Sequence, residues 1–201
     1  MSKKLLKDIK FKSEIKSFFK ENKKEIIDII LFGSSIRRKE KPKDIDLLIL
    51  YNDKKDIDLS YELEKKLKRK GYDVEIVDKT YGELFEGTFK AMEGILSEGY
   101  SLIFNKFLSE GFGYMNLILF KYDLKGLNKS QRMRFYYSLY GRNKNQGVLN
   151  ELSAIKFSET VLLCEIENSE IMKEYLKNWD IKFKEFPILI PNRLRGILGK
   201  V

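Results

Sequence analysis

The sequence contains no histidine and a single cysteine, Cys164. Lack of histidine excludes Ser-His-Asp and Cys-His catalysis and every histidine-containing zinc or iron site. Any metal must then be held by carboxylates, which points to magnesium, manganese or calcium. A lone cysteine cannot close an intramolecular disulfide, which fits a reducing cytoplasm. It stands in Val161-Leu162-Leu163-Cys164, a run that reads as a buried strand, so it is expected to be inert. The longest apolar runs are only a few residues, far below the roughly 20 needed to cross a bilayer, and no membrane partner is expected. Met1 to Lys7 is basic but has no apolar stretch behind it, so no secretory signal is expected.

What is present describes a folded chain. Of 201 residues, 43% are hydrophobic and 34% charged, too apolar for disorder and enough for one domain or two small ones. The net charge of +9 is uneven. Residues 1–111 carry 24 basic and 21 acidic side chains, whereas 112–201 carry 15 and 9. The second excess lies wholly between Lys121 and Lys144, where seven basic residues face one acidic. Such a patch suits a phosphate-bearing partner, although a lysine-rich chain is also simply soluble. The pair Gly111-Phe112-Gly113 reads as a hinge, dividing the chain into domains 1–111 and 112–201.

Periodicity predicts the elements. Residues 13–24 read as a helix with Ser13 as its cap and Ile15, Phe18, Phe19 and Asn22 on one stripe. Ile26–Phe32 reads as a buried strand, Gly33–Lys43 as a basic loop, and Asp44–Tyr51 as a second strand. Leu59–Lys70 reads as an amphipathic helix ended by Gly71, and Asp73–Val77 as a third strand. A helix over 80–98 and a short segment near 100–104 close the first half. In the second half, 114–122 reads as a strand, 128–140 as a helix, 147–166 as one or two strands, 168–178 as a helix and 181–190 as a strand. That β-α-β-β-α-β order suggests a smaller α+β domain of the ferredoxin-like kind.

The chemistry concentrates in residues 31–50. A buried strand ends in Gly33-Ser34: glycine lets backbone N–H groups approach a ligand closely, and serine adds a hydroxyl. A basic loop follows, and then Asp44 and Asp46 open a strand of Ile and Leu. Positions i and i+2 of a strand share a face, so two carboxylates stand side by side at the mouth of a sheet. Adjacent anions repel unless a cation neutralises them, and a divalent hard cation is the natural choice. In Val74-Glu75-Ile76-Val77 the side chain of Glu75 points away from its apolar neighbours and can complete a three-carboxylate site. Asp73 and Asp78 rank behind it. Three acids, a metal and a phosphate-binding turn suit phosphoryl or nucleotidyl transfer.

This stretch resembles the nucleotidyltransferase superfamily that includes DNA polymerase beta, especially its minimal, MntA-type members. Gly33-Ser34, nine intervening residues and Asp44-Ile45-Asp46 match the pattern, and Val74-Glu75-Ile76-Val77 fits the third-acid strand with Glu in place of Asp. Ile95-Leu96-Ser97-Glu98-Gly99 is similar to a segment near the end of minimal members. The resemblance spans residues 13–108 and implies an α/β domain, a mixed sheet with flanking helices. By it, Asp44 and Asp46 would hold Mg2+ (or Mn2+) bound to a nucleoside triphosphate, with ATP the expected donor. Glu75 would hold a second metal and help deprotonate the acceptor. Gly33 and Ser34 would bind the departing pyrophosphate, and Arg37, ahead of Arg38 and Lys39, would offset charge on the phosphates. The spacer is one residue short of the common pattern, and Ser35-Ile36-Arg37-Arg38 replaces the usual Arg-Ala-Arg-Gly.

A second constellation is Lys129–Lys144. Met133, Tyr136 or Tyr137, and Tyr140 share a helical stripe that reads as core, while the interleaved basic residues suit nucleic-acid contact with base stacking. Trp179 reads as core. The expected activity is transfer of a nucleoside monophosphate to an acceptor hydroxyl, the acceptor a protein side chain or an RNA end, with the protein favoured. The rival reading is a nucleic-acid-binding protein on a transferase fold that has lost catalysis.

Overall fold

A computed structural model describes residues 5–36, 44–87, 90–142 and 145–198 of the chain. It divides into two compact units, Met1–Phe112 and Gly113–Val201. Among the described residues no helix is long and apolar enough to cross a membrane.

The first unit opens with α1 (Ile9–Glu21). Its cap is Asp8 rather than Ser13: the Asp8 carboxylate accepts the N–H groups of Lys10 and Phe11 at 3.0 and 3.1 Å, while Ser13 sits inside the first turn and donates its hydroxyl to the Lys10 carbonyl. Starting earlier adds Phe11 to the buried stripe with Ile15 and Phe18. Strand β1 (Ile26–Phe32) pairs antiparallel with β2 (Ile45–Tyr51). Helix α2 (Ile57–Arg69), capped by Asp56 and burying Leu63 and Leu67, carries the chain back to β3 (Val74–Thr80), which pairs with β2 in parallel. This crossover is the reason the sheet is mixed.

The helix expected over 80–98 is shorter. Strand β3 runs on to Thr80 because its ladder with β2 continues to the Tyr51–Thr80 pair. A turn follows in which Glu83 accepts the Thr80 N–H at 2.8 Å, and Gly87 adopts a positive φ of 67° that no helix continues through. Helix α3 covers only Met92–Glu98. The unit closes with β4 (Tyr100–Ser101), β5 (Lys106–Phe107) and α4 (Leu108–Gly111). The sheet order is β3-β2-β1-β4-β5. Ile30, Leu48 and Ile95 form a buried cluster with Phe32, Val77 and Leu84 packed on it, joining α3 to the sheet. Burying each such side chain contributes about 1.5–3 kcal/mol.

The second unit contains β6 (Tyr114–Asp123), α5 (Lys129–Tyr140), a hairpin of β7 (Gly141–Arg142) and β8 (Asn145–Gln146), and α6 (Val148–Glu151). It continues through β9 (Ile155–Ser158), β10 (Val161–Glu165), α7 (Ser169–Asn178), β11 (Lys182–Pro191) and α8 (Arg195–Leu198). The main sheet runs β11-β6-β10-β9 and is antiparallel throughout. Each β-α-β unit is therefore split, with one strand inserted between its two strands, in keeping with the predicted element order. Pro187 and Pro191 are accommodated because β11 lies at the end of the sheet, where a missing N–H faces no second neighbour.

Phe135 of α5 is fully buried, with the rings of Tyr122, Tyr136, Tyr175 and Trp179 at 5.7–5.8 Å around it. The core face of α5 is thus Phe135 and Leu139, not the Met133–Tyr140 stripe. Met133, Tyr137 and Tyr140 point outward and remain 46%, 40% and 36% exposed. Tyr122 and Trp179, which the buried face of α5 needs as partners, come from β6 and the end of α7, and helical spacing alone could not choose between the two stripes.

Candidate active site

Strand register brings the predicted acids toward one place. Asp46, second residue of β2, is paired with Phe32 at the end of β1 on one side and with Glu75 of β3 on the other. Asp44 precedes it by two residues. The segment is tied down twice: buried Ser35 donates its hydroxyl to the Asp44 carbonyl at 3.0 Å, and the Ile45 N–H donates to the Asp73 carbonyl at 2.9 Å.

Gly33 begins a single helical turn, Gly33–Ser35, that leaves β1 beside these acids. Its φ is +71°, and a Cβ there would collide with Asp46 Oδ2. Other residues pay for the left-handed conformation, and any side chain there would push the Asp46 carboxylate aside. Burial, followed by the charges of Glu75 and then Asp44, raises the pKa of Asp46 above the usual carboxylate range. The two carboxylates are close enough to Asp46 to oppose its ionisation. Ser34 stands in the same turn, half-buried. Gly33, Ser34, Asp44, Asp46 and Glu75 therefore gather at one end of β1, β2 and β3. Among the described residues no cluster of three or more acidic side chains has already converged on a common point for a metal ion. Arg37, like Arg38 and Lys39, lies outside the described residues.

Asp78 takes a different place. Ser60 donates to its carboxylate, Tyr51 and Ser60 share a 2.7 Å hydrogen bond, and the Tyr51 hydroxyl donates to the Asp56 carbonyl. Burial raises the pKa of Asp78. This network joins β2 and β3 to the start of α2 and does not involve Asp46.

Two residues were not singled out by sequence reasoning. Ser35 fixes the backbone of Asp44, and only its place in the Gly-Ser-Ser turn hinted at it. Asp28, in the middle of β1, is 4% exposed; it accepts from Ser101 Oγ and the Ile29 N–H, each at 2.8 Å, and burial pushes its pKa up to about 6. An acid flanked by isoleucines in a buried run was its only signal.

Residues 13–96 match the family model described as Polymerase beta, Nucleotidyltransferase. No curated protein matches the chain. Among solved structures the chain is similar to a toxin–antitoxin with AMP-PNP, at 26% identity over 45% of this chain and 71% of the other, with a TM-score of 0.36. It is also similar to the toxin–antitoxin MntA-HepT, at 25% identity over 45% and 68%, with a TM-score of 0.32. A third is the tri-AMPylated Shewanella oneidensis HEPN toxin in complex with MNT antitoxin, at 24% identity over 45% and 67%, with a TM-score of 0.32. The Gly-Ser turn, the paired aspartates and the parallel third strand all fall within residues 13–96, the stretch that matches the polymerase beta nucleotidyltransferase model.

Proposed function

We propose that the first unit moves a nucleoside monophosphate from a nucleoside triphosphate to an acceptor hydroxyl, releasing pyrophosphate. The observation that carries this reading is the close approach of Gly33 to Asp46, with Glu75 directly opposite on β3. It sets a turn that opens on a glycine against the carboxylates of β2 and β3.

The donor set fits a hard divalent cation: Asp44, Asp46 and Glu75 offer only carboxylate oxygens, and Asp46 is destabilised as an anion by the other two. Asp44 and Glu75 are exposed, so their side chains are free to turn toward Asp46. These three residues would hold Mg2+ or Mn2+, which when bound would offset phosphate charge and make the acceptor oxygen a better nucleophile. The turn at Gly33 and the Ser34 hydroxyl receive the triphosphate, because backbone N–H groups without a Cβ come within hydrogen-bond reach of its oxygens. Glu75 accepts the acceptor's proton. The acceptor oxygen then bonds to the α-phosphorus, the bond from that phosphorus to the bridging oxygen breaks, and pyrophosphate leaves with its electron pair. Arg37 is kept as the residue that offsets the leaving charge.

The motif's resemblance to minimal members favours ATP as donor and a protein hydroxyl as acceptor. Residues 113–201 would then supply acceptor choice. The test is a thermal melt with millimolar ATP, GTP, CTP or UTP plus magnesium, since a ligand that binds only the folded state stabilises it. A rise in Tm with at least one triphosphate is expected, and no shift with any overturns the reading. Covalent label from radiolabelled ATP on a partner protein, rather than on RNA, identifies the acceptor.

A further inference from the structure

We infer that the outward face of α5 binds single-stranded nucleic acid. The inference concerns the second unit alone and does not depend on which hydroxyl the first unit modifies.

Charge comes first. From Leu124 to Asn150 the chain has six basic residues and no acidic one. Arg132 and Arg134 are exposed on α5. At the end of the sheet, Lys121, Lys182 and Lys184 line a cavity of about 320 Å³ with Asp123, Tyr122 and Phe183. Lys184 lies opposite Lys121 across the ladder, and Lys182 opposite Asp123. The one acid there is already engaged, its carboxylate accepting the Lys125 N–H at 2.9 Å with the Lys125 ammonium at 3.7 Å. Lys121 and Asp123 alternate with Tyr122, which packs edge-on against Phe135 on the buried face of α5, so these lysines lie on the other face of the sheet and add to the unit's positive field. Like charges gathered this way repel one another, and a polyanion relieves that repulsion.

Aromatic rings make the strand single. Tyr137 and Tyr140 are left outside the core, although Phe135 on the opposite face of the same helix is fully buried. The Arg142 guanidinium stands 4.7 Å from the centre of the Tyr137 ring. Tyr140 lies 5.8 Å from Tyr136 at an interplanar angle of 18°, and the Lys156 ammonium, ion-paired with Glu159 at 2.6 Å, stands 5.5 Å from its centre. Flat rings paired with cations, beside the exposed Arg132 and Arg134, offer stacking surface for bases and charge for phosphates together. A duplex hides the faces of its bases and could use only the charge.

The test uses the full chain without nucleotide or magnesium, so that catalysis plays no part. Fluorescence anisotropy is followed with a labelled mixed-sequence RNA strand, the DNA strand of the same sequence, and the duplex, across a KCl series. One or both single strands should bind more tightly than the duplex, with affinity falling steeply as salt rises. Replacing Arg132 and Arg134 together by Ala should flatten the log–log slope by about 1.4, at about 0.7 per phosphate contact for a single strand. Tyr137→Ala should weaken binding about tenfold at unchanged slope, and Tyr137→Phe, which keeps the ring, should not. Circular dichroism checks that the variants fold. The arginines are exposed, so the double variant remains decisive if Tyr137→Ala misfolds. No binding at low salt, preference for the duplex, or an unchanged slope in the arginine variant overturns the inference.

Discussion

In the first unit the informative charges are carboxylates fixed by strands; in the second they are cations on an exposed helix and a sheet end. Asp46 is held by ladder pairs on both sides, and the backbone at Asp44 and Ile45 is held from the Gly-Ser-Ser turn and from Asp73. The arginines of α5 have no such frame: Arg132 makes one local hydrogen bond, from Nε to the Leu127 carbonyl at 2.9 Å. Chemistry at a reacting atom needs groups placed to fractions of an ångström, which strand register supplies. Attraction to a polyanion needs only density of charge, which a helix surface supplies without fixed geometry. On the two readings proposed, the same chain would meet two demands on precision with two kinds of scaffold.

The strongest way to break this contrast is at Asp46. Replacing Asp44 or Asp46 by Asn should abolish nucleotidyl transfer while folding is kept or slightly improved, because one of several crowded anions is removed. Transfer assays paired with urea melts check this; near-normal transfer, or outright unfolding, contradicts the placement of the site.

Glu75→Gln should cost at least about a hundredfold in rate, the scale of a positioned base. Asp73→Asn and Asp78→Asn should cost much less in rate. Asp78→Asn should keep or slightly raise stability at neutral pH, because burial already opposes ionisation of that carboxyl and the Asn Oδ1 can still accept from Ser60. A larger rate loss at Asp73 or Asp78 would move the third acid and leave the rest of the site standing.

Gly33→Ala sharpens the backbone side of the comparison. The positive φ and the collision with Asp46 predict a loss of about 1–3 kcal/mol by denaturant melting, and a fall in transfer with it. An equivalent change at Gly126, where an added Cβ meets nothing within 4 Å, should be close to neutral. Equal effects at the two glycines would remove the argument for close approach.

The smallest effect concerns pH. The folded-state pKa of Asp28 is pushed up to about 6 by burial, above its unfolded value near 3.8. The folded protein therefore binds more protons than the unfolded one between those values, and this residue's contribution falls as pH rises through that window. Two units correspond to about 3 kcal/mol as an upper limit at neutral pH. Asp28→Asn should raise stability at pH 7 and flatten the pH dependence between about 4 and 6. A melting profile in which the variant keeps the wild-type slope across that window would refute the assignment.

Much of this was legible because it is local. Ile26–Phe32 is a strand with the predicted bounds, since a run of branched apolar residues has no other comfortable state, and Asp44-Ile45-Asp46 announced itself through an acid pair opening an apolar strand. The order of the main strands and long helices in the second unit also followed from alternating periods, but 148–151, expected within a strand segment, is the short helix α6, and the β7–β8 hairpin and α8 were not expected. The tertiary structure alone decided which residues face each other. Only the parallel ladder sets Glu75, rather than Asp73 or Asp78, opposite Asp46, because register between distant strands depends on a helix crossover that spacing does not encode. Only packing chose Phe135 and Leu139 as the buried face of α5 and left Tyr137 and Tyr140 outside. Local sequence dictates which conformation a segment prefers; what that segment touches is set by surfaces brought to it from far along the chain.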